Sequence, residues 1–173
     1  MSTRSVISIQ RAEDEYECIY CHSDGYLTYN GAMLLDHYSD KEKLEKLIAL
    51  GNISCLNKEV EPNPNLPHSF DYDKRQEDVV VAYGRDRGES GQESLKLSLK
   101  EMLKWDWIEY FYVYDLNGEW KYTTNEDVDF KSVKEGLDEE YKSYKIKRPK
   151  DYYGFWTDES LKAERKKQAQ EEM

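Results

Sequence analysis

The stretch "WIEYFYVYDLNGEWKYTT", Trp107–Thr124, decides the fold class. Ile108, Tyr110, Tyr112 and Tyr114 alternate with Trp107, Glu109, Phe111 and Val113, the two-residue period of a β-strand. "NG" predicts a two-residue hairpin turn with both central residues at positive φ, and "EWKYTT" predicts the returning strand. The chain therefore contains an antiparallel hairpin rich in aromatic and β-branched residues, which needs further strands or helices to bury its apolar face.

Those further elements lie upstream. "TRSVISIQR", Thr3–Arg11, and "YECIYCH", Tyr16–His22, alternate imperfectly about a charged break, so they predict a second hairpin whose connection spans Arg11 to Tyr16. "YNGAMLLDHY" and "SDKEKLEKLIALG" predict two helices. In the second, Ser39 is the expected N-cap with Glu42 completing a capping box, and Gly51 stands just past the end. "NKEVEPNPNLPHSFDYDKRQED" holds three of the four prolines and no sustained period, so it predicts a long loop. "VVVAYG", Val79–Gly84, predicts a strand buried on both faces near the middle of the sheet. "ESLKLSLKEMLKW" places Leu95, Leu99, Met102 and Leu103 at helical spacing.

The sum is an α+β fold: a mixed or antiparallel sheet of about five strands with helices packed on one face, occupying residues 1–124. Residues 125–173 are predicted to form a charged, partly helical C-terminal extension, with one helix over Ser132–Tyr144 and a helix-prone end lacking an apolar stripe. Within that extension "DYYGFW" groups Tyr152, Tyr153, Phe155 and Trp156 as an aromatic anchor for a partner, or as the docked part of a solvated tail.

Composition bounds the function. The chain has 173 residues, a formal net charge of −11, 15 tyrosines and 4 tryptophans. Such an excess of acid disfavours direct nucleic-acid binding, which needs lysine and arginine concentrated on one face, and suits a partner with a basic surface. No run reaches the ~18 apolar residues that span a membrane. The opening residues lack the apolar core of a signal peptide, so a cytoplasmic location is expected, with three free thiols in a reducing compartment.

"CIYCHSDGY", Cys18–Tyr26, carries the spacing of a haem tether. A strand splits it, because alternation sends Cys18 and Cys21 to opposite faces and leaves Cys18 with Tyr20 and His22. A zinc site would need a second close pair of ligands, and Cys55, His37 and His68 are scattered. No metal or cofactor is expected. The strand end is the more useful part: His22 and Asp24 stop there, and "YGRDRGE" follows the "VVVA" strand. If the two ends meet, His22, Asp24, Arg85, Asp86, Arg87 and Glu89, joined by Arg4, make one polar cleft. His22 and Asp24 would then serve as general base and its carboxylate, and the arginines would hold a phosphate. The competing reading is a salt-bridged turn without a ligand. "GRDRGESG" lacks the lysine and spacing of a phosphate-binding P-loop.

"STRSVISI", "IYCHSDGY", "LLDHYSDKEKLEKLIALGNISCL" and "VVVAYGRDRGE", occurring in that order, resemble a family of small proteins of bacteriophages and other bacterial mobile elements. Its members share a "TRS" start, an "IY-x-H-x-DGY" block, an "LL-x-HY" helix and an "AYGRDRGE" turn. The likeness covers Ser2 to Leu116. It implies a phage protein acting in the cytoplasm of a bacterial host, where small acidic accessory proteins block host defence, for instance as anti-CRISPR or anti-restriction inhibitors. The alternative left by the residues themselves is a small enzyme or binding module for a nucleotide or other phosphate-bearing ligand.

Overall fold

A computed structural model describes residues 2–172, apart from the side chains of Asp127 and Val128. Its elements in chain order are β1 (Ser5–Ala12), β2 (Glu15–Cys21), a π-helical turn (Leu27–Gly31), α1 (Ala32–His37), α2 (Lys41–Ala49), β3 (Ile53–Cys55), β4 (Val81–Ala82), α3 (Tyr83–Arg87), β5 (Leu95–Leu97), α4 (Leu99–Leu103), β6 (Tyr110–Tyr114), β7 (Trp120–Thr124), β8 (Asp127–Ser132), α5 (Val133–Tyr144) and α6 (Asp158–Glu171). The fold is α+β with a mixed sheet. Eight strands take part instead of about five, in the order β4-β3-β2-β1-β6-β7-β8, with β5 also paired to β2. No helix among the described residues is long and apolar enough to cross a membrane.

The sheet is built on β1. It pairs antiparallel with β2 and parallel with β6, setting Ser5 opposite Tyr110 and Ile9 opposite Tyr114. Successive side chains of β1 and β2 enter two separate clusters, as alternation requires. Ile7, Ile9, Ile19 and Cys21 face α1, α2 and α5 in the larger core, whereas Val6, Tyr16, Cys18, Phe111 and Val113 meet Met102 and Ile108 on the opposite side. Cys18 and Cys21 thus do point to opposite faces. Met102 brings α4 onto the second face, so helices cover both sides of the sheet and not one.

Four local expectations are corrected. "NG" forms no two-residue turn: only Gly118 has positive φ, the Gly118 amide donates to Asp115 O and the Asp115 amide to Glu119 O, giving a longer loop closed by a glycine bulge. The cap of α2 is Asp40, whose carboxylate accepts from the Glu42 amide; the Ser39 hydroxyl donates back to Leu35 O. "LKL" is strand β5, because β2 offers it a free edge, and only Leu99–Leu103 are helical, capped by a Ser98/Glu101 box. "VVVA" is buried as expected, yet β4 ends the strand order, its outer side occupied by the long loop through a Glu59–Val79 bridge.

The helix over Ser132–Tyr144 forms with Ser132 as its cap, preceded by β8, which pairs with β7. Leu137, Tyr141, Ile146, Trp156 and Leu161 lie in the same cluster as Ile7. Gly51 ends α2 in the left-handed conformation with φ +76°, and a Cβ built there would stand 2.0 Å from Gln92 O. The backbone at that contact cannot move without breaking the Asn52 amide bond to the same oxygen. Gly51→Ala is therefore expected to lower the unfolding free energy by about 2 kcal/mol or more in urea titration, from positive φ and the clash together. A loss below about 0.5 kcal/mol, the range of an ordinary surface change, would show that the contact relaxes freely.

Candidate functional site

The second face of the sheet is only partly roofed, because α4 is five residues long. Where the roof stops there is a cleft of about 510 Å³ lined by Arg4, Tyr20, Asn52, Trp105, Asp106 and Trp107. Three chain segments build it. Arg4 precedes β1 and its carbonyl accepts from the Glu109 amide, which fixes it beside β6. Tyr20 lies on β2 between the residues paired with β5 and those paired with β3. Its amide is satisfied by the side-chain oxygen of Asn52 at 2.9 Å, so Asn52 fills a gap in the strand ladder. Trp105, Asp106 and Trp107 form the reversal from α4 into β6.

That reversal carries strain. Trp107 has φ +70° and is 80% exposed, a left-handed backbone for a bulky residue whose ring gains little from burial. Its neighbour Ile108 is buried against Met102 and Phe111, which holds the turn in place. Such a cost of ~1–3 kcal/mol persists only where the surroundings impose it, and residues of this kind concentrate at binding sites.

His22 adjoins the cleft. Its Nδ1 lies 2.7 Å from the Tyr20 hydroxyl. Burial, opposed by a hydrogen bond from Arg4, raises the Tyr20 pKa. The Arg4 guanidinium stands close to the same phenol oxygen, and the Tyr20 hydroxyl and His22 Nδ1 share one hydrogen bond. Burial and then the Arg4 charge hold His22 below its usual 6.5, so it is neutral at pH 7. The cleft thus offers one guanidinium, two indoles and a carboxylate at Asp106, with the uncharged imidazole of His22 bonded to the Tyr20 that lines it.

The other residues singled out in the sequence lie elsewhere. Asp24 has φ +57°; its carboxylate accepts from Tyr26 and its carbonyl from the Asn30 amide, and no hydrogen bond joins it to His22. Arg85 donates to Val60 O, to Val80 O and twice to Asp86. Asp86 also accepts from the Ala82 amide and lies 3.3 Å from His68 Nε2, both of these side chains being about 5% exposed or less. His68 Nδ1 accepts from the Gln76 amide, so its proton is on Nε2, facing Asp86. Arg85, Asp86 and His68 thereby fasten the long loop to β4 and α3. Arg87 pairs with Glu89 and lies over Phe70, 4.2 Å from the ring centre, and over Tyr83 at 5.1 Å. Arg4 and His22 are brought together; Arg85 and Asp86 form a separate group.

The aromatic segment near the C-terminus folds back on the domain. Thr28 donates to Gly154 O, Tyr153 donates to Asp36 Oδ2 and stands 2.8 Å from His37 Nε2, and the Trp156 indole donates to Tyr141. Tyr152 packs on Trp156 at 4.5 Å, and Phe155 stays 67% exposed with its edge on Tyr26. Among the described residues no three His, Cys, Asp or Glu side chains are grouped to hold a metal ion. Tyr20, Asn52, Trp105, Asp106 and Trp107 were missed as a site; a "WDW" triplet closing a helical pattern was the available signal.

No family model, curated protein or solved structure matches this chain.

A pH titration of the His22 ring resonances by NMR checks the Arg4 contact. The midpoint is expected below the ordinary histidine value and should rise part of the way back in Arg4→Ala, since burial remains. An unchanged midpoint in that variant would place Arg4 away from the imidazole.

Proposed function

We propose that the protein acts by binding another protein, as a phage accessory factor that inhibits a host nucleic-acid-directed defence system of the anti-CRISPR or anti-restriction type. The reading is supported by the charge of −11, which suits a basic target surface, and by the resemblance of the four sequence blocks to proteins of phages and mobile elements. The observation that carries it is Trp107, an exposed indole held in a strained turn beside the Asp106 carboxylate. The strained turn fixes the Trp107 backbone, so the exposed indole is presented from one place on the surface. It accepts an arginine or lysine over its face while the neighbouring carboxylate pairs with the charge.

The test is a phage challenge of bacteria that carry a restriction or CRISPR system and express this protein. Plaque formation is expected to rise with the wild-type chain and to fall back with Trp107→Gly. That variant relieves the positive-φ strain, removes a ring with little buried area, and should keep its unfolding free energy within about 1 kcal/mol of wild type. Unchanged plaque formation across restriction and CRISPR hosts, with the protein expressed and folded, would sink the proposal.

One arrangement favours a second reading, a nucleotide or other phosphate-bearing ligand in the same cleft. Arg4 supplies a cation, and Trp105 and Trp107 supply stacking faces. A thermal-shift panel of nucleotides discriminates, because a ligand at one hundred times its Kd adds about 2.7 kcal/mol. A shift lost in Arg4→Ala would support this reading, and no shift with any nucleotide would remove it.

A further inference from the structure

The cleft beyond α4 holds two charges of opposite sign that do not neutralise each other. Arg4 and Asp106 both line it, no ion pair joins them, and among the described residues the Asp106 carboxylate has no hydrogen-bond donor. The other polar groups of the lining are taken. Asn52 gives its side-chain oxygen to the Tyr20 amide at 2.9 Å and its side-chain N–H to Gln92 Oε1 at 3.2 Å, so the amide is held at both ends. The Tyr20 hydroxyl is bonded to His22 Nδ1 at 2.7 Å. The groups still open to a guest are the Arg4 guanidinium and the Asp106 carboxylate. Asp106 is exposed and Arg4 half-buried, so a guest in the cleft can reach both. Trp105 packs on the cluster of Met102, Ile108 and Phe111, whereas Trp107 stands out from the turn, which gives the cleft one fixed aromatic wall and one projecting ring.

We propose that the cleft selects guanine among the nucleobases, taking a free guanine nucleotide with the base against the indoles, its Watson–Crick edge on Asp106 and its phosphate on Arg4. The inference rests on the second reading above, that the cleft takes a phosphate-bearing ligand. A carboxylate offers two acceptors side by side. Of the common bases, guanine alone presents two adjacent donors on one edge, N1–H and the N2 amino group, and so can occupy both oxygens at once. Adenine and cytosine place a ring acceptor next to their amino donor, and that lone pair would face a carboxylate oxygen. Uracil flanks its single N–H with two carbonyls. Every base has a π-face, so stacking on Trp105 and Trp107 binds all of them without choosing, and the choice falls to Asp106. Arg4 presents guanidinium donors that suit a phosphate, and at about 510 Å³ the cleft lies in the range that holds a small ligand. The charge of −11 opposes a strand with many phosphates, whereas a mononucleotide brings one phosphate to one arginine.

The test titrates the full chain with GMP, IMP and AMP, following the tryptophan indole N–H resonances by NMR. IMP keeps N1–H but lacks the N2 amino group. GMP is expected to bind about tenfold more tightly than AMP or better, the range of one bidentate pair on a base edge, with IMP between them. Asp106→Asn puts a donor where guanine also has donors and should bring GMP to the affinity of AMP. Arg4→Ala should weaken all three alike and leave their ratio unchanged. The ratio is read first in the wild type, so the answer does not depend on either variant folding. Equal affinity of GMP and AMP there overturns base selection and leaves the second reading standing, and a preference undiminished in Asp106→Asn also overturns it. No saturable binding of any of the three at millimolar concentration overturns both. A pentanucleotide with one central guanine flanked by thymines, run in parallel, is expected to bind more weakly than GMP; tighter binding would overturn the assignment to a free nucleotide.

Discussion

The parallel pairing of β1 with β6 is the constraint on which the molecule depends. It joins segments about a hundred positions apart, with the Ser8 hydroxyl, in a strand buried from Ser5 to Ile9, donating to Tyr112 O across a separation of 104 residues. Once β1 lies between β2 and β6, its side chains must be covered on both faces, and two cores follow. The larger takes α1, α2 and α5; the smaller takes the short helix α4 and Ile108. The Tyr112 hydroxyl, fully buried, reaches Gly25 O at 2.6 Å and ties the end of the first hairpin to the same strand. A parallel neighbour requires a long crossover, and here the crossover contains most of the remaining elements.

Incomplete cover on the second face then positions the candidate site. A helix of five residues cannot roof a sheet this wide, and the chain leaving it must turn sharply to start β6 at the register β1 imposes. Trp107 absorbs that turn. The cleft is in this sense the edge of the smaller core, with Arg4, Tyr20 and the indoles occupying the places where a longer helix would have put apolar side chains. Across the sheet, Gly136 lets the Tyr122 side chain lie against the backbone of α5, since a Cβ there would stand 2.6 Å from the ring.

Local features were legible in the sequence where a single period or cap encodes them. Both hairpins, the helix ended by Gly51 and the helix begun by Ser132 could be read because alternation, helical spacing and chain terminators act over a few residues. The strand count was too low because β3, β5 and β8, none longer than six residues, take their form from the partners that pair with them, and the order that leaves β4 at its end leaves no local trace. β5 was hidden because its leucines also satisfy a helical spacing, and the free edge of β2 settles the matter. The site divided for a similar reason. Arg85 and Arg87 look like a clamp for an anion because sequence shows their charges and not the carbonyls of Val60 and Val80 and the Glu89 carboxylate that occupy the two guanidinium groups. Arg4 and His22, expected in one cleft with Arg85, Asp86 and Arg87, instead meet at Tyr20, while Trp107 was read only as a strand residue.

The buried places of Ile146, Trp156 and Leu161 bear on how the molecule is made. A segment made well after the first hairpin supplies side chains to the larger core and the donor that caps the Tyr141 hydroxyl. The first hairpin and α2 can collapse early, but part of their core stays open until that later segment has been synthesised. During synthesis the nascent chain therefore presents apolar surface of the kind that chaperones bind.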